Sequence, residues 1–270
     1  MKVRIKFKKY GPIRFIGHLD VMRFFQKAMR RAEIDIAYTT GFSPHQIMSF
    51  AAPLGVGLES NGEYMDIECH SVTGSQDMMN RLNRVSAPGI EVISVKALPE
   101  HAGNAMASVA AAGYTIRFRE GRAPEFDYIT KLPEFLAKEH IMVTKETKTG
   151  VKEVDIRPGI YEMYILFQSN KPTAQDCAVT SGCTATPSIY MLVDASSAGN
   201  LKPGKVIEAF LAANGEELKE NALLITREDV YTNVGTEQSP KLVPLDEIGS
   251  DIPETPDFPS QMSVSDASKV

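Results

Sequence analysis

Hydrophobic and polar positions change period several times along the chain, and each change marks an element. Val3, Ile5 and Phe7 alternate with Lys2, Arg4, Lys6 and Lys8, which predicts a half-buried strand with a basic outer face. Over 18–33 the period lengthens: Val21, Phe25, Ala28 and Ala32 recur at helical spacing, with Met22 and Met29 flanking them. Asp20 suits the positive end of that helix. Short extended pieces follow at 34–38 and 47–51, then a Gly-rich connection over 53–62. Residues 63–69 alternate strictly, 75–85 predicts a second helix ended by Pro88-Gly89, and 90–97 predicts another strand. The order strand, helix, strand, strand, helix, strand is that of the split βαβ, or ferredoxin-like, arrangement, with two helices on one face of an antiparallel sheet and the other face left open.

A run of small residues, 102–112, predicts a linker. The pattern then partly repeats. Strands are expected at 114–119, 161–168, 188–194 and 222–227, helices at 126–138 (with Pro133 disturbing its middle) and 202–213, and a hairpin at 141–156 around Lys148-Thr149-Gly150. The expected fold is therefore α+β: two tandem ferredoxin-like (βαββαβ) domains with antiparallel sheets, 1–101 and 113–238, followed by a tail. Prolines at 240, 244, 253, 256 and 259 and a charge of −4 over 239–270 predict that this acidic tail is disordered beyond about residue 246.

Charge sharpens the picture. The chain carries a net −5, yet residues 1–50 hold ten Lys/Arg against Asp20, Glu33 and Asp35, a local +7. Arg23, Lys27, Arg30 and Arg31 form one stripe of the first helix, whose mutual repulsion an anionic partner would offset. The loop Tyr38-Thr39-Thr40-Gly41-Phe42-Ser43-Pro44-His45 sets aromatics and hydroxyls beside those cations, a combination suited to a nucleobase. The nucleic-acid-binding candidates are Arg14, Arg23, Lys27, Arg30, Arg31, Phe42, His45 and Arg157.

Catalytic candidates are fewer. His18 and His45, with Asp20, offer acid/base chemistry, and Asp155 lies two residues from Arg157, on the same face of a strand end. No three- or four-ligand spacing marks a metal site. Cys69, Cys177 and Cys183 are odd in number and irregularly spaced, which predicts no disulfide framework and a reducing, cytoplasmic compartment. No run of 18 apolar residues predicts a membrane span. The phosphate-cradling, dinucleotide, zinc-protease and serine-hydrolase motifs are absent, as is the CxxxCxxC spacing that holds a radical-generating cluster.

At RFIGHLDVMRFFQKAMRRA, TTGFSPHQIMSFAAPLGVGLES, GEYMDIE and KEVDIRP, the sequence resembles the bacterial radical SAM-linked protein family, whose function is uncharacterised. The resemblance spans roughly residues 1–230, is strongest over 1–70, and takes in Arg14, Gly17, His18, Asp20, Arg30, Gly41, Phe42, Pro44, His45, Gly55, Asp155 and Arg157. It implies a radical SAM protein as partner, so that S-adenosylmethionine and an iron–sulfur cluster are expected on that enzyme and not on this chain. Combined with the basic stretch, it leads to the expectation of an accessory module presenting tRNA or rRNA to the partner. Two alternatives stand beside it: an RNA-modifying or RNA-processing enzyme in its own right, and a protein-interaction scaffold for the radical SAM enzyme.

Overall fold

A computed structural model describes residues 1–147, 150–167, 187–236 and 239–254. The strands are β1 (Lys2–Lys9), β2 (Met48–Ala51), β3 (Glu59–Glu68), β4 (Ile90–Ala97), β5 (Ala111–Phe118), β6 (Met142–Thr147), β7 (Gly150–Asp155), β8 (Ile160–Leu166), β9 (Ser188–Asp194), β10 (Leu223–Asn233) and β11 (Leu242–Pro244). The helices are α1 (His18–Arg31), α2 (Ser75–Val85), α3 (Tyr128–Leu136) and α4 (Pro203–Ala212). None is long and apolar enough to cross a membrane.

The expected periods place the core. Val3, Ile5 and Phe7 of β1 point to one side, where Val21, Phe25, Ala28 and Met29 of α1 and Met78 and Leu82 of α2 pack on them. Phe7 meets Phe25 with ring centroids 4.6 Å apart. A second core joins Tyr114, Ile116 and Phe118 of β5 to Leu132 and Phe135 of α3 and to Val206, Ile207 and Phe210 of α4.

Among the described residues, one mostly antiparallel sheet joins both halves in the order β4-β1-β3-β10-β5-β9-β8. This corrects the expectation of separate sheets on either side of a linker. β2 pairs with β3 over 64–67, and below it on the same edge β10 pairs with β3 in parallel, Thr226 opposite Glu59 and Arg227 opposite Ser60. That parallel seam joins the halves. With β6, β7 and β11 left out of the count, the strands of each half lie as 4-1-3-2: β4-β1-β3-β2, then β10-β5-β9-β8. The β6–β7 hairpin stands apart from the sheet.

Two further expectations change. The basic outer face of β1 does not face solvent throughout. Arg4 is only 1% exposed: it grips Asp66 with two hydrogen bonds (2.7 and 2.9 Å) and donates a third to the Leu245 carbonyl. Lys6 pairs with Asp229 at 2.7 Å. Ala51, Tyr64, Ala105, Val109, Val230 and Leu245 form a small third core on this face, so the linker and the C-terminal segment cover a sheet surface expected to be open. Linker residues 111 and 112 themselves belong to β5.

The proline-rich stretch is ordered through residue 254. β11 extends the sheet beside β10, Ser250 bridges to Ala97, and Ile252 is buried in the first core. The Glu254 carboxylate accepts from the Gln76 and Asp77 amides, at 2.7 and 3.2 Å, and caps the N-terminus of α2. Prolines stop helices, but an edge strand and an extended strap tolerate them. Residues 255–270 of the expected tail, and Cys177 and Cys183, lie outside the described residues.

Candidate nucleic-acid interface

α1 presents its two faces as the spacing requires. Val21, Phe25, Ala28 and Met29 are buried, while Arg23, Lys27, Arg30 and Arg31 are exposed. Asp20 in the first turn and Arg30 and Arg31 in the last complement the helix dipole. The field around the stripe is smaller than composition implied. Of the ten cations in 1–50, Arg4, Lys6, Lys8, Arg14 and Arg23 each pair with a carboxylate. Lys9 is buried, with its ammonium on the Ile16 carbonyl at 2.9 Å. Among the described residues this leaves Lys2, Lys27, Arg30 and Arg31 without an acidic partner, and three of the four lie on α1.

The loop after α1 is closed by its own polar groups. The Tyr38–Gln46 bridge sets its base. Thr39 donates its amide to the His45 carbonyl (2.8 Å), and its hydroxyl accepts the His45 amide (3.1 Å) and lies 3.0 Å from His45 Nδ1. Gly41 has φ +119°, a conformation side chains rarely adopt, and next to it Phe42 projects wholly into solvent. His45 is thereby tied to its own loop. His18 packs edge-on against Phe50 at 5.1 Å, so the two histidines have separate local partners.

Arg14 is half-buried, paired with Glu59 at 3.0 Å, with its guanidinium over Phe15. Arg157 is far along the chain in the second half, where it donates to the carbonyls of Leu136 and Ile160, both at 3.1 Å, and holds α3 to β8. Asp155 does not pair with the Arg157 side chain among the described residues. It accepts the backbone amides of Ile141 and Arg157 (2.9 and 3.0 Å) and sits 2.8 Å from His140 Nδ1. These hydrogen bonds, His140 first, hold its carboxyl at about 2, below the ordinary 3.8. His140 also lines an open cavity of about 460 Å³ with Lys138, Thr144 and Glu208.

Sequence reasoning missed His140. The signal was available in the predicted hairpin, whose pairing of Met142 with Asp155 brings residue 140 beside the carboxylate. It also missed an aromatic surface. Tyr164 of β8 and Tyr190 of β9 are directly opposed, with ring centroids 4.9 Å apart. On the neighbouring strand, a Cβ at Gly113 would meet the Tyr190 hydroxyl at 2.7 Å, so any larger residue there would push that ring aside. Burial, and then Tyr231, raise the Tyr190 phenol above its ordinary value. Cys69 is a free, buried thiol, which burial pushes up to about 11.

These features define an α+β protein with a cation-striped helix, exposed aromatic rings and, among the described residues, no group of three His, Cys, Asp or Glu able to hold a metal ion. The chain belongs to the DUF2344 family of uncharacterised proteins conserved in bacteria, whose profile matches residues 2–203. No curated protein matches it.

Proposed function

We propose that this chain is a cytoplasmic accessory RNA-binding module that presents tRNA or rRNA to a radical SAM partner. The α1 stripe carries the RNA part of this reading: Lys27, Arg30 and Arg31 are exposed and, among the described residues, without an acidic partner, on the helix that leads into the fully exposed Phe42. The cations suit phosphates, and the Phe42 ring suits an unstacked base. The Tyr164–Tyr190 pair offers a second stacking surface. The repeated 4-1-3-2 strand order supports treating the halves as tandem ferredoxin-like units fused at their edges, a frame that RNA-binding domains use. The partner part rests on the family resemblance of the RFIGHLD and TTGFSPH segments. The S-adenosylmethionine and iron–sulfur cluster would belong to the partner.

Fluorescence anisotropy with a tRNA and an rRNA fragment tests the reading. With four phosphates engaged, affinity is expected to fall roughly 50-fold between 50 and 200 mM salt. Replacing Arg23, Lys27, Arg30 and Arg31 together by Ala is expected to remove most binding. Unchanged affinity would take α1 out of the interface.

One observation favours a second reading, an enzyme acting on RNA in its own right. With Nδ1–H donated to Asp155, His140 keeps Nε2 free as a base. On this reading His140→Ala abolishes turnover of bound RNA and leaves affinity unchanged. RNA recovered intact from both wild type and variant would sink it.

A further inference from the structure

Opposite its helices, the first half's sheet face is closed by Ala105, Val109 and Leu245, with Arg4 and Lys6 tied to carboxylates. Among the described residues the same face of the second half stays accessible. Ile116 and Phe118 of β5, Met163 of β8, and Ile189 and Met191 of β9 turn toward the second core. Thr115, Arg117, Tyr164 and Tyr190 alternate with them and so turn the other way, and none of the four is buried.

Strand register sets Tyr164, Tyr190, Thr115 and Thr226 in one row across β8, β9, β5 and β10. The Tyr190 ring reaches over Gly113, which has no Cβ to obstruct it, and hydrogen-bonds to Tyr231 beyond. Tyr164 packs on it from the other side, with centroids 4.9 Å apart. Held at both ends, the ring loses little freedom when a planar group stacks on the row. Such a fixed π-face accepts any nucleobase, at a typical gain of about tenfold per stacked base.

Arg117 sits on the same face, about 7 Å along β5 from Thr115. Arg119 and Arg122 follow in the turn, where the Arg122 amide donates to the Arg119 carbonyl at 2.9 Å. All three are exposed, and among the described residues no carboxylate pairs with them, Glu120 and Glu220 in the adjoining turns included. A phosphodiester placed there meets guanidiniums that no acid has already taken. Of the acids around the tyrosines, Asp229 is held by Lys6, Asp194 by the Ser196 amide and Glu228 by Asn61. Glu162 has no partner among the described residues, but it lies beside Leu192, on the side of the row away from Arg117.

We propose that this face binds a single-stranded RNA segment, with bases stacked on Tyr164 and Tyr190 and the backbone on Arg117 and Arg119. The proposal rests on the RNA reading above and adds the substrate class: unpaired nucleotides, because a base inside a duplex already has both faces stacked on its neighbours. The α1 stripe, in the other half and on the helical side of the sheet, holds a separate part of the same RNA.

A labelled oligouridine tests it by anisotropy on the full chain, with its duplex with oligoadenylate as control. The Tyr164 side chain is 46% exposed, so substitutions there are expected to keep the fold, which a thermal melt checks. Tyr164→Ala is expected to weaken the oligouridine about tenfold, whereas Tyr164→Phe, which keeps the ring, stays within about threefold. Replacing Arg117 and Arg119 together by Ala is expected to reduce the slope of log affinity against log salt by about 1.4, two single-strand phosphates' worth. The chain has no Trp, so Tyr164→Trp sets a lone indole on the row. Its fluorescence is expected to be quenched by the oligouridine and not by the duplex. Undiminished binding by Tyr164→Ala, or equal quenching by the duplex, would each overturn the site. The quadruple α1 variant separates the two readings: it is expected to lose most tRNA binding yet hold the oligouridine within about threefold of wild type. Oligouridine binding that follows α1 and ignores Tyr164 would end this proposal and leave the RNA reading standing; no binding of tRNA or oligouridine would end both.

Discussion

Asp155 shows how one side chain organises a corner of the molecule. Its carboxylate ties the start of β6, the turn after β7 and His140 together through three hydrogen bonds. Because its folded-state acidity is stronger than the ordinary carboxylate value of 3.8, its contribution to stability is complete above that value and is lost as pH falls toward about 2. Asp155→Asn is therefore expected to be less stable than wild type at pH 5–7, with the gap narrowing below pH 4 and closing near pH 2. Urea melts across that range check it, and a gap that widens on acidification would refute the assignment. Asp155 was legible as a candidate because it is a charged residue at a strand end. Its partner was legible only indirectly: His140 sits 15 residues away, and the register of the predicted hairpin is what brings the two together.

Elements with a strong period were the most legible. α1 was expected over 18–33 and runs from His18 to Arg31, with the expected residues buried. β3 starts four residues earlier than its alternation announced, because Glu59 and Ser60 are recruited by β10 rather than by their own pattern. The C-terminal strap was not legible. Its prolines and acids resemble a solvated tail, and only tertiary contacts order it: Leu245 against Tyr64 and Ala105, Ile252 in the first core, and Glu254 on α2. Two substitutions test that ordering. Leu245→Ala is expected to cost about 2–5 kcal/mol, as for other fully buried leucines. Glu254→Ala is expected to cost about 1 kcal/mol by uncapping α2. Denaturant midpoints measure both, and a neutral Leu245→Ala would mean the strap is not docked.

At the scale of the whole molecule, the seam makes the halves interdependent. The boundary expected at 101 falls between elements, but the first half's second face is closed by residues 105–109, 229–230 and 245–246. A fragment of residues 1–101 would leave Arg4 and Lys6 without Leu245, Asp229 and Asp246, and would expose Tyr64. It is expected to show poor amide dispersion and to aggregate, whereas residues 1–254 give a single cooperative melt. A well-dispersed spectrum from 1–101 would show that the seam is dispensable. Composition could not reveal this dependence. Lys6 reads as a solvated strand charge until the chain has closed, and only then do Asp229 and Asp246 stand beside it.

The hydrogen bond from Arg4 to the Leu245 carbonyl spans 241 positions. During synthesis at about 5–20 residues per second, the first strand would wait roughly 10–50 s for that partner to be made. Until then an arginine destined for burial, and the sheet face around it, stay open to the cell. A strand made well before its partner is thus among the last to mature, and that interval is when this protein is most exposed to chaperones and to misassociation.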